Sequence, residues 1–274
     1  MTIWELDFYR SAAPSEAGDP AWELRLCERN GDFRYCTTCL QSAASSAWLL
    51  AQLRQVMVTH SMPTEIRVFR PQTLNLLEPI AAQLEVPVVP TRRTPKLKQW
   101  LLERSTPTAD TAAVALLELD RPPPLPLPEA LMGDRWRFAA LPAADLFDAF
   151  RERMIPIVDL PAEWQPLKLG LAYNQAIPGV VIDGGRQSLR LAQWLQQVQP
   201  VGLNFVMGAP DGLVLEAGLV DRYILATFED AEVRSAAQTY AQRQQQSQGL
   251  HFLLVQPDDS GMTYSGVWLL KTEA

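Results

Sequence analysis

Histidine and cysteine are scarce in this chain: 274 residues hold two histidines and three cysteines. So few histidines leave no plausible Ser-His-Asp set. An odd, small number of thiols suits a reducing compartment and excludes a disulfide scaffold. Long apolar runs are absent too. No stretch reaches the roughly 18 uninterrupted apolar residues of a membrane-spanning helix. The first residues, Met1 to Asp7, carry acids and neither a basic signal region nor an Arg-rich transit pattern. The expectation is a cytoplasmic protein without membrane insertion. Positive charge is also short, with Lys+Arg 24 against Asp+Glu 31, a net charge of -7. Residues 1–120 hold 12 basic and 14 acidic side chains, and residues 121–274 hold 12 and 17. Neither half has the basic footprint of a nucleic-acid binder, so such binding needs a local patch. What is present is ordinary for a globular chain, 47% hydrophobic and 20% charged, which excludes disorder along its whole length.

The hydrophobic pattern divides the chain. Trp4, Leu6 and Phe8 alternate with Glu5, Asp7 and Tyr9, and Ala21 to Glu28 and Phe33 to Leu40 continue as strands. Asn30-Gly31 marks a turn between the latter two. Ser42 to Ser46 offer helix N-caps ahead of Leu49, Leu53, Val56 and Met57 on one face. Short strands at 65–69 and 86–89 alternate with helices at 73–85, interrupted by Pro79, and from Pro95 to about Glu103. The fold class is α/β, with mixed sheets. The order β-β-β-α-β-α-β-α is that of a ribonuclease H-like fold. Arg121 to Pro128 holds five prolines in eight residues, which favours a polyproline connection. Three segments follow: a ribonuclease H-like domain at 1–105, a Pro-rich connection at 106–130 and a C-terminal α/β domain at 131–274.

In the second half the pattern predicts a helix from Ala143 to Arg153, a buried strand at 180–182 and a helix at 187–197. Strands at 201–207, 213–217 and 222–228 follow, then a helix at 230–246 and two final strands completing one sheet. A β-β-β-α-β order thus occurs in each half. Arg70-Pro-Gln-Thr-Leu and Arg186-Gln-Ser-Leu read alike after apolar strands, so duplication competes with chance likeness of short amphipathic helices.

Catalytic patterns fail one by one. Two-metal chemistry of the ribonuclease H type needs converging carboxylates. Asp7 stands mid-strand, but the first helix has no acid and the fourth strand ends Val68-Phe69-Arg70. Asp7 and Glu5 are expected to pair with Arg25 across the hairpin. Pro210-Asp211 with Glu216-Ala-Gly218 resembles a nuclease pattern that requires lysine where Gly218 stands; a turn at Ala209–Gly212 is the simpler reading. Cys36-Thr-Thr-Cys39 would need two further ligands from Cys27, His60 or His251 to hold zinc. No catalytic residue, metal or cofactor is expected. The binding candidates are basic. Residues 61–104 carry seven basic and four acidic side chains, densest at Arg92, Arg93, Lys96 and Lys98, where a helix start would add free N–H groups. Arg70 and Arg186 are secondary candidates; Gly184-Gly185-Arg186 before a helix offers a phosphate cradle. Ion pairs with Glu85 and Glu103 are the competing use of the 92–98 cations. Trp100 is expected in the core beside Leu97 and Leu101.

Several strings go together: Trp4-Glu-Leu-Asp-Phe-Tyr9, Phe69-Arg-Pro-Gln72, Pro90-Thr-Arg-Arg-Thr94 and Leu97-Lys-Gln-Trp-Leu101. Pro178-Gly-Val-Val181, Gly184-Gly-Arg-Gln-Ser188, Ala209-Pro-Asp-Gly212 and Leu215-Glu-Ala-Gly-Leu-Val-Asp-Arg222 follow. The longest is Gly249-Leu-His-Phe-Leu-Leu-Val-Gln-Pro-Asp-Asp-Ser-Gly-Met-Thr-Tyr-Ser-Gly266. Over nearly its whole length the chain resembles the Tab family, named for a chloroplast translation activator of the photosystem I PsaB reaction-centre subunit. The resemblance implies a non-catalytic, RNA-binding factor for photosystem I biogenesis, with an A/U-rich mRNA leader as its expected partner. Photosystem I subunits or the translation machinery are further expected partners, and a cyanobacterial origin is expected. A protein-binding assembly factor without RNA contact, and a degenerate nuclease fold, are the alternatives. The resemblance carries no residue-level RNA map.

Overall fold

The structure, a computed structural model, describes residues 2–11, 20–103, 122–151 and 153–272. It forms two compact units, Met1–Asp120 and Arg121–Ala274.

In the first unit β1 (Ile3–Arg10), β2 (Ala21–Glu28) and β3 (Arg34–Leu40) are antiparallel neighbours. Then come α1 (Ser46–Thr59), β4 (Glu65–Val68), α2 (Pro71–Leu77), α3 (Ala81–Leu84), β5 (Val88–Pro90) and α4 (Pro95–Glu103). The sheet order is β3-β2-β1-β4-β5, with β4 and β5 joining parallel. Ser45 caps α1 by accepting the Trp48 N–H, the role its short hydroxyl suits. Pro79 lies in a 3-10 turn that separates α2 from α3, because proline has no N–H for a continuous helix. The alternation in β1 sends Trp4, Leu6 and Phe8 against α1, α2 and α3, in a core with Leu24, Leu49, Leu53, Ile66 and Leu77. The opposite face is also covered. Tyr9 and Cys27 pack there with Phe69, Leu97 and Leu101, so Glu5 and Asp7 are fully buried. Alternation alone suggests a half-buried strand; α4 makes it buried on both sides.

The expected pairing with Arg25 does not form. Asp7 stands opposite Arg25 in register, but Arg25 Nε bonds Glu23 Oε1 at 2.7 Å. Its guanidinium also lies over the Trp100 ring, 5.1 Å from the centroid. Cys36 and Cys39 are three residues apart on β3, so they point to opposite faces. Cys36 Sγ bonds Glu23, while Cys39 packs against the α1 side. They cannot chelate one ion or pair with each other. Cys27 is buried, and burial pushes its thiol up to about 12.

The second unit contains two sheets, not the single one expected. β6 (Leu125–Pro126), β10 (Pro200–Val206), β11 (Asp211–Ala217) and β12 (Asp221–Phe228) make one, in the order β10-β11-β12-β6. β7 (Arg135–Pro142), β8 (Ile157–Asp159), β9 (Ala176–Asp183), β13 (Leu250–Gln256) and β14 (Gly266–Lys271) make the other, in the order β7-β9-β13-β14-β8. α5 (Asp148–Arg151), α6 (Ser188–Val198) and α7 (Ala231–Gln246) complete it. The repeated β-β-β-α-β succession is present at β10-β11-β12-α7-β13. Its last strand leaves the sheet of the first three, whereas β4 pairs with β1 in the first unit. The likeness of order is not a likeness of topology. The helix expected over 143–153 shrinks to α5, and β7 and β8 lie where no strand was expected. The Pro-rich segment is not simply a spacer either. Leu125-Pro126 pairs with β12, and Leu127 and Leu131 are buried in the main core. Residues 104–121 lie outside the described residues.

Candidate nucleic-acid interface

The 91–98 segment crosses the sheet of the first unit on the α4 face. Thr94 accepts the Lys98 N–H and so occupies the helix N-cap, with Pro95 at the first helical position, where its missing N–H costs nothing. The hydroxyl of an N-cap threonine ordinarily takes the N–H three residues on. Here Thr94 Oγ1 is buried and makes no hydrogen bond. The Leu97 N–H instead bonds Glu5 Oε2 from β1, at 2.8 Å. The helix start that offered a phosphate its free N–H groups is therefore filled by the protein's own carboxylate. Burial raises the Glu5 pKa above its usual range, while the Leu97 N–H, Arg29 and Arg67 act to lower it.

The six basic candidates separate by environment. Arg92 and Lys98 are buried, and Lys98 Nζ donates to the Arg92 carbonyl at 2.7 Å with the Phe69 ring 4.8 Å away. Their place is within the fold, holding the loop to α4. Arg70 is 13% exposed and its Nε donates to Asp7 Oδ2 at 2.8 Å. Its guanidinium also lies over Tyr9. Asp7 accepts from Thr73 Oγ1 at 3.2 Å as well. Burial raises the Asp7 pKa, against the pull of Arg70 and Thr73. Asp7 is thus the counter-ion of Arg70. Arg93 and Lys96 are half-buried and reach the surface. Of the expected competing acids, Glu103 is held by Arg34 at 2.5 Å, and the charge of Lys96 helps Arg34 to lower its pKa. Arg186 is exposed but belongs to the second unit, in the turn Gly185–Gln187. There Asp183, at the end of β9, bonds Arg135 and Arg137. Burial acts to raise the Asp183 pKa, but Arg137, Gln256 and Arg135 together hold it below the usual range.

Two neighbours were missed from the sequence. The Arg93 carbonyl accepts from Arg29 Nη1 at 3.1 Å and from Arg67 Nη1 at 3.4 Å. Arg29, Arg67, Arg93 and Lys96 thus gather from three parts of the chain at the head of α4. Arg67 also bonds Glu65 at 2.6 Å, and Arg29 lies 3.8 Å from Glu5. The signal for Arg67 is its parallel register with Glu5, which no local pattern reveals. Trp100 packs, as expected, on the cluster of Leu97 and Leu101, but it is only half-buried and lies between Arg25 and Arg34.

Asp211 is equally committed to structure, and Glu216 is buried. Asp211 opens β11 instead of sitting in a turn, accepts the Gly208 N–H at 3.0 Å and pairs with Arg234. No group of three or more His, Cys, Asp or Glu side chains suited to a metal ion occurs among the described residues.

Residues 3–104 match the family described as RNA-binding protein Tab2/Atab2 N terminal, and residues 114–271 match its C-terminal domain. The chain belongs to the Tab2/Atab2 family. Its similarity to curated plant relatives runs almost end to end. It is 28% identical over 283 residues to the chloroplastic TAB2 homologue of Arabidopsis thaliana, covering 97% of this chain and 74% of that protein. To the chloroplastic TAB2 homologue of Zea mays it is 29% identical over 281 residues, covering 97% of this chain and 70% of the relative. The four gathered cations all lie in the Tab2/Atab2 N-terminal match, and Arg186 lies in the C-terminal one.

Proposed function

We propose that this Tab2/Atab2 protein is a non-catalytic RNA-binding factor that supports photosystem I biogenesis. In this reading it acts in the cytoplasm of a cyanobacterial cell as a translation activator of a photosystem I reaction-centre subunit, on an A/U-rich mRNA leader. The observation that carries the reading to a surface is the convergence of Arg29, Arg67, Arg93 and Lys96 at the head of α4. Arg93 and Lys96 are the phosphate contacts of the first unit, and Arg186 is a separate candidate in the second. Arg70, Arg92 and Lys98 set the geometry from below. The ribonuclease H-like description of residues 1–105 rests on the strand order 3-2-1-4-5, without the chemistry. Asp7, the one acid at a catalytic strand position, is neutralised by Arg70.

Arginine and lysine contacts to phosphates release counter-ions, so each makes affinity fall with salt. Replacing Arg93 and Lys96 by Gln should weaken binding to A/U-rich RNA between about 50 and 200 mM salt. The salt slope should drop by about two units. The net charge of -7 favours, as a second reading, a photosystem assembly factor that binds protein and not RNA. Unchanged affinity and slope in the double variant, with photosystem subunits co-purifying after ribonuclease treatment, would select it.

A further inference from the structure

The second unit holds a cavity of about 280 Å³ lined from both of its sheets. Trp136 of β7 and Val180 of β9 stand on one side, Leu213 of β11 and Ala226 of β12 on the other, with Leu191 of α6. Val180, Leu191 and Leu213 are at most 1% exposed, so the floor reaches into the main core. Protein interiors keep few voids larger than a water molecule. This one equals about nine waters at roughly 30 Å³ each. It lies at the lower end of ligand sites, which run to about 300–1,000 Å³, and suits one planar ring system.

The mouth is polar where the floor is not. Met132, Arg135 and Thr227 are exposed there, and Trp136 is half-buried. Arg135 commits Nε to Asp183 and Nη2 to Asp259. Its Nη1, the Trp136 Nε1 and the Thr227 hydroxyl hold no hydrogen bond among the described residues. Phe138 meets the Trp136 ring edge-on at 5.3 Å, which fixes an aromatic wall in place. Beside the mouth, Gly185 (φ 52°) abuts the side chain of Asp134, the chain neighbour of Gly133 and Arg135. That contact sets the exposed Arg186 next to the rim.

We propose that this cavity is a nucleobase site that takes one unstacked uracil of single-stranded RNA, with Arg186 meeting a flanking phosphate. The inference rests on the RNA-binding reading and adds base recognition to it. Proteins read single-stranded bases by stacking and by hydrogen bonds to the base edge. The apolar space with its aromatic wall serves the first, and the three unengaged groups serve the second. Guanidinium and indole N–H groups only donate. They match the carbonyl oxygens of uracil and oppose the amino group of cytosine.

The probes are oligouridylate and oligocytidylate of equal length, titrated onto the full chain. Ala226 faces Leu213 in register, so a larger side chain at 226 enters the cavity. Ala226→Leu should weaken oligouridylate binding roughly 5- to 100-fold, the loss of one stacked base. The salt slope should not change, because no phosphate contact is touched. Thermal melts should show no loss of stability, since the added carbons fill a void. Wild type should bind oligouridylate more tightly than oligocytidylate, and the variant should lose that preference. Whatever the variant's folding, 4-thiouridine in the RNA should photocrosslink wild type within peptides that contain Met132, Trp136 or Thr227. Equal affinity for the two oligomers, unchanged affinity in a folded Ala226→Leu, or crosslinks confined to the first unit would each overturn the base site and leave the RNA-binding reading standing. Decanoate bound by wild type and not by Ala226→Leu, with RNA affinity unchanged, would give the cavity to an acyl ligand and overturn it too. If wild type binds neither oligomer, that reading and this proposal fall together.

Discussion

His251 shows what burial does to one titratable ring. It lies in β13 with no exposed surface. Its Nε2 accepts the Leu203 N–H at 2.9 Å, and its Nδ1 lies 2.8 Å from the Gly249 carbonyl. Those partners require a neutral ring with its proton on Nδ1, and burial lowers the pKa to about 4. The unfolded chain binds this proton near pH 6.5 and the folded chain does not. The stabilisation is therefore complete above that value and is lost as pH falls towards 4, by up to about 3 kcal/mol. Urea unfolding of wild type and His251→Gln between about pH 7 and 4.5 should show a steeper acid loss in wild type. Parallel curves would contradict the assignment. Arg70 makes a second case. Arg70→Ala leaves the Asp7 charge buried without its guanidinium, which should cost about 3–5 kcal/mol. Asp7→Asn should cost less, since the exposed edge of Arg70 can be hydrated. Magnesium-dependent RNA cleavage that Asp7→Asn abolishes would refute the non-catalytic reading.

At the scale of elements, α4 depends on a strand far from it in sequence. Glu5→Ala removes the acceptor for the Leu97 N–H and should destabilise the first unit by about 1–3 kcal/mol. Glu5→Gln retains an acceptor and should cost less, as thermal melts of the two variants would show. The α4 cations should separate in the same way. Lys98→Ala should lower stability and change the salt slope of RNA binding little, whereas Lys96→Gln should do the reverse. If Lys98→Ala flattens the slope without loss of stability, the buried placement is wrong. All seven helices among the described residues were legible at least in part, because capping serines, Pro95 and the 3.6-residue period are local signals. β7 and β8 were not. Trp136 and Phe138 lack a full alternation, and Ile157–Asp159 is too short to show one.

For the whole molecule, the two units make separate cores, and we expect each to unfold as its own transition in calorimetry of the full chain. The second unit should need its Pro-rich leader. A fragment beginning at residue 122 keeps β6, Leu127 and Leu131, while one beginning at 132 loses two buried leucines. Its stability should fall by about 2–5 kcal/mol or more. Equal melting temperatures for the two fragments would restore the segment to the role of a spacer.

The amino-acid order by itself determined the succession of strands and helices in the first unit, the absence of an acid on α1, and the strings that mark the Tab2/Atab2 family. These are short-range properties, carried by alternation, caps and runs of neighbours. Only the tertiary structure decided that β10 to β12 and β13 part into two sheets, since pairing partners lie far apart in the chain. It alone decided that Arg92 and Lys98 turn inward while Arg29 and Arg67 join Arg93. A charge cluster in sequence has no defined inside until a sheet lies beneath it, and Glu5 reached the head of α4 because β1 passes under Leu97.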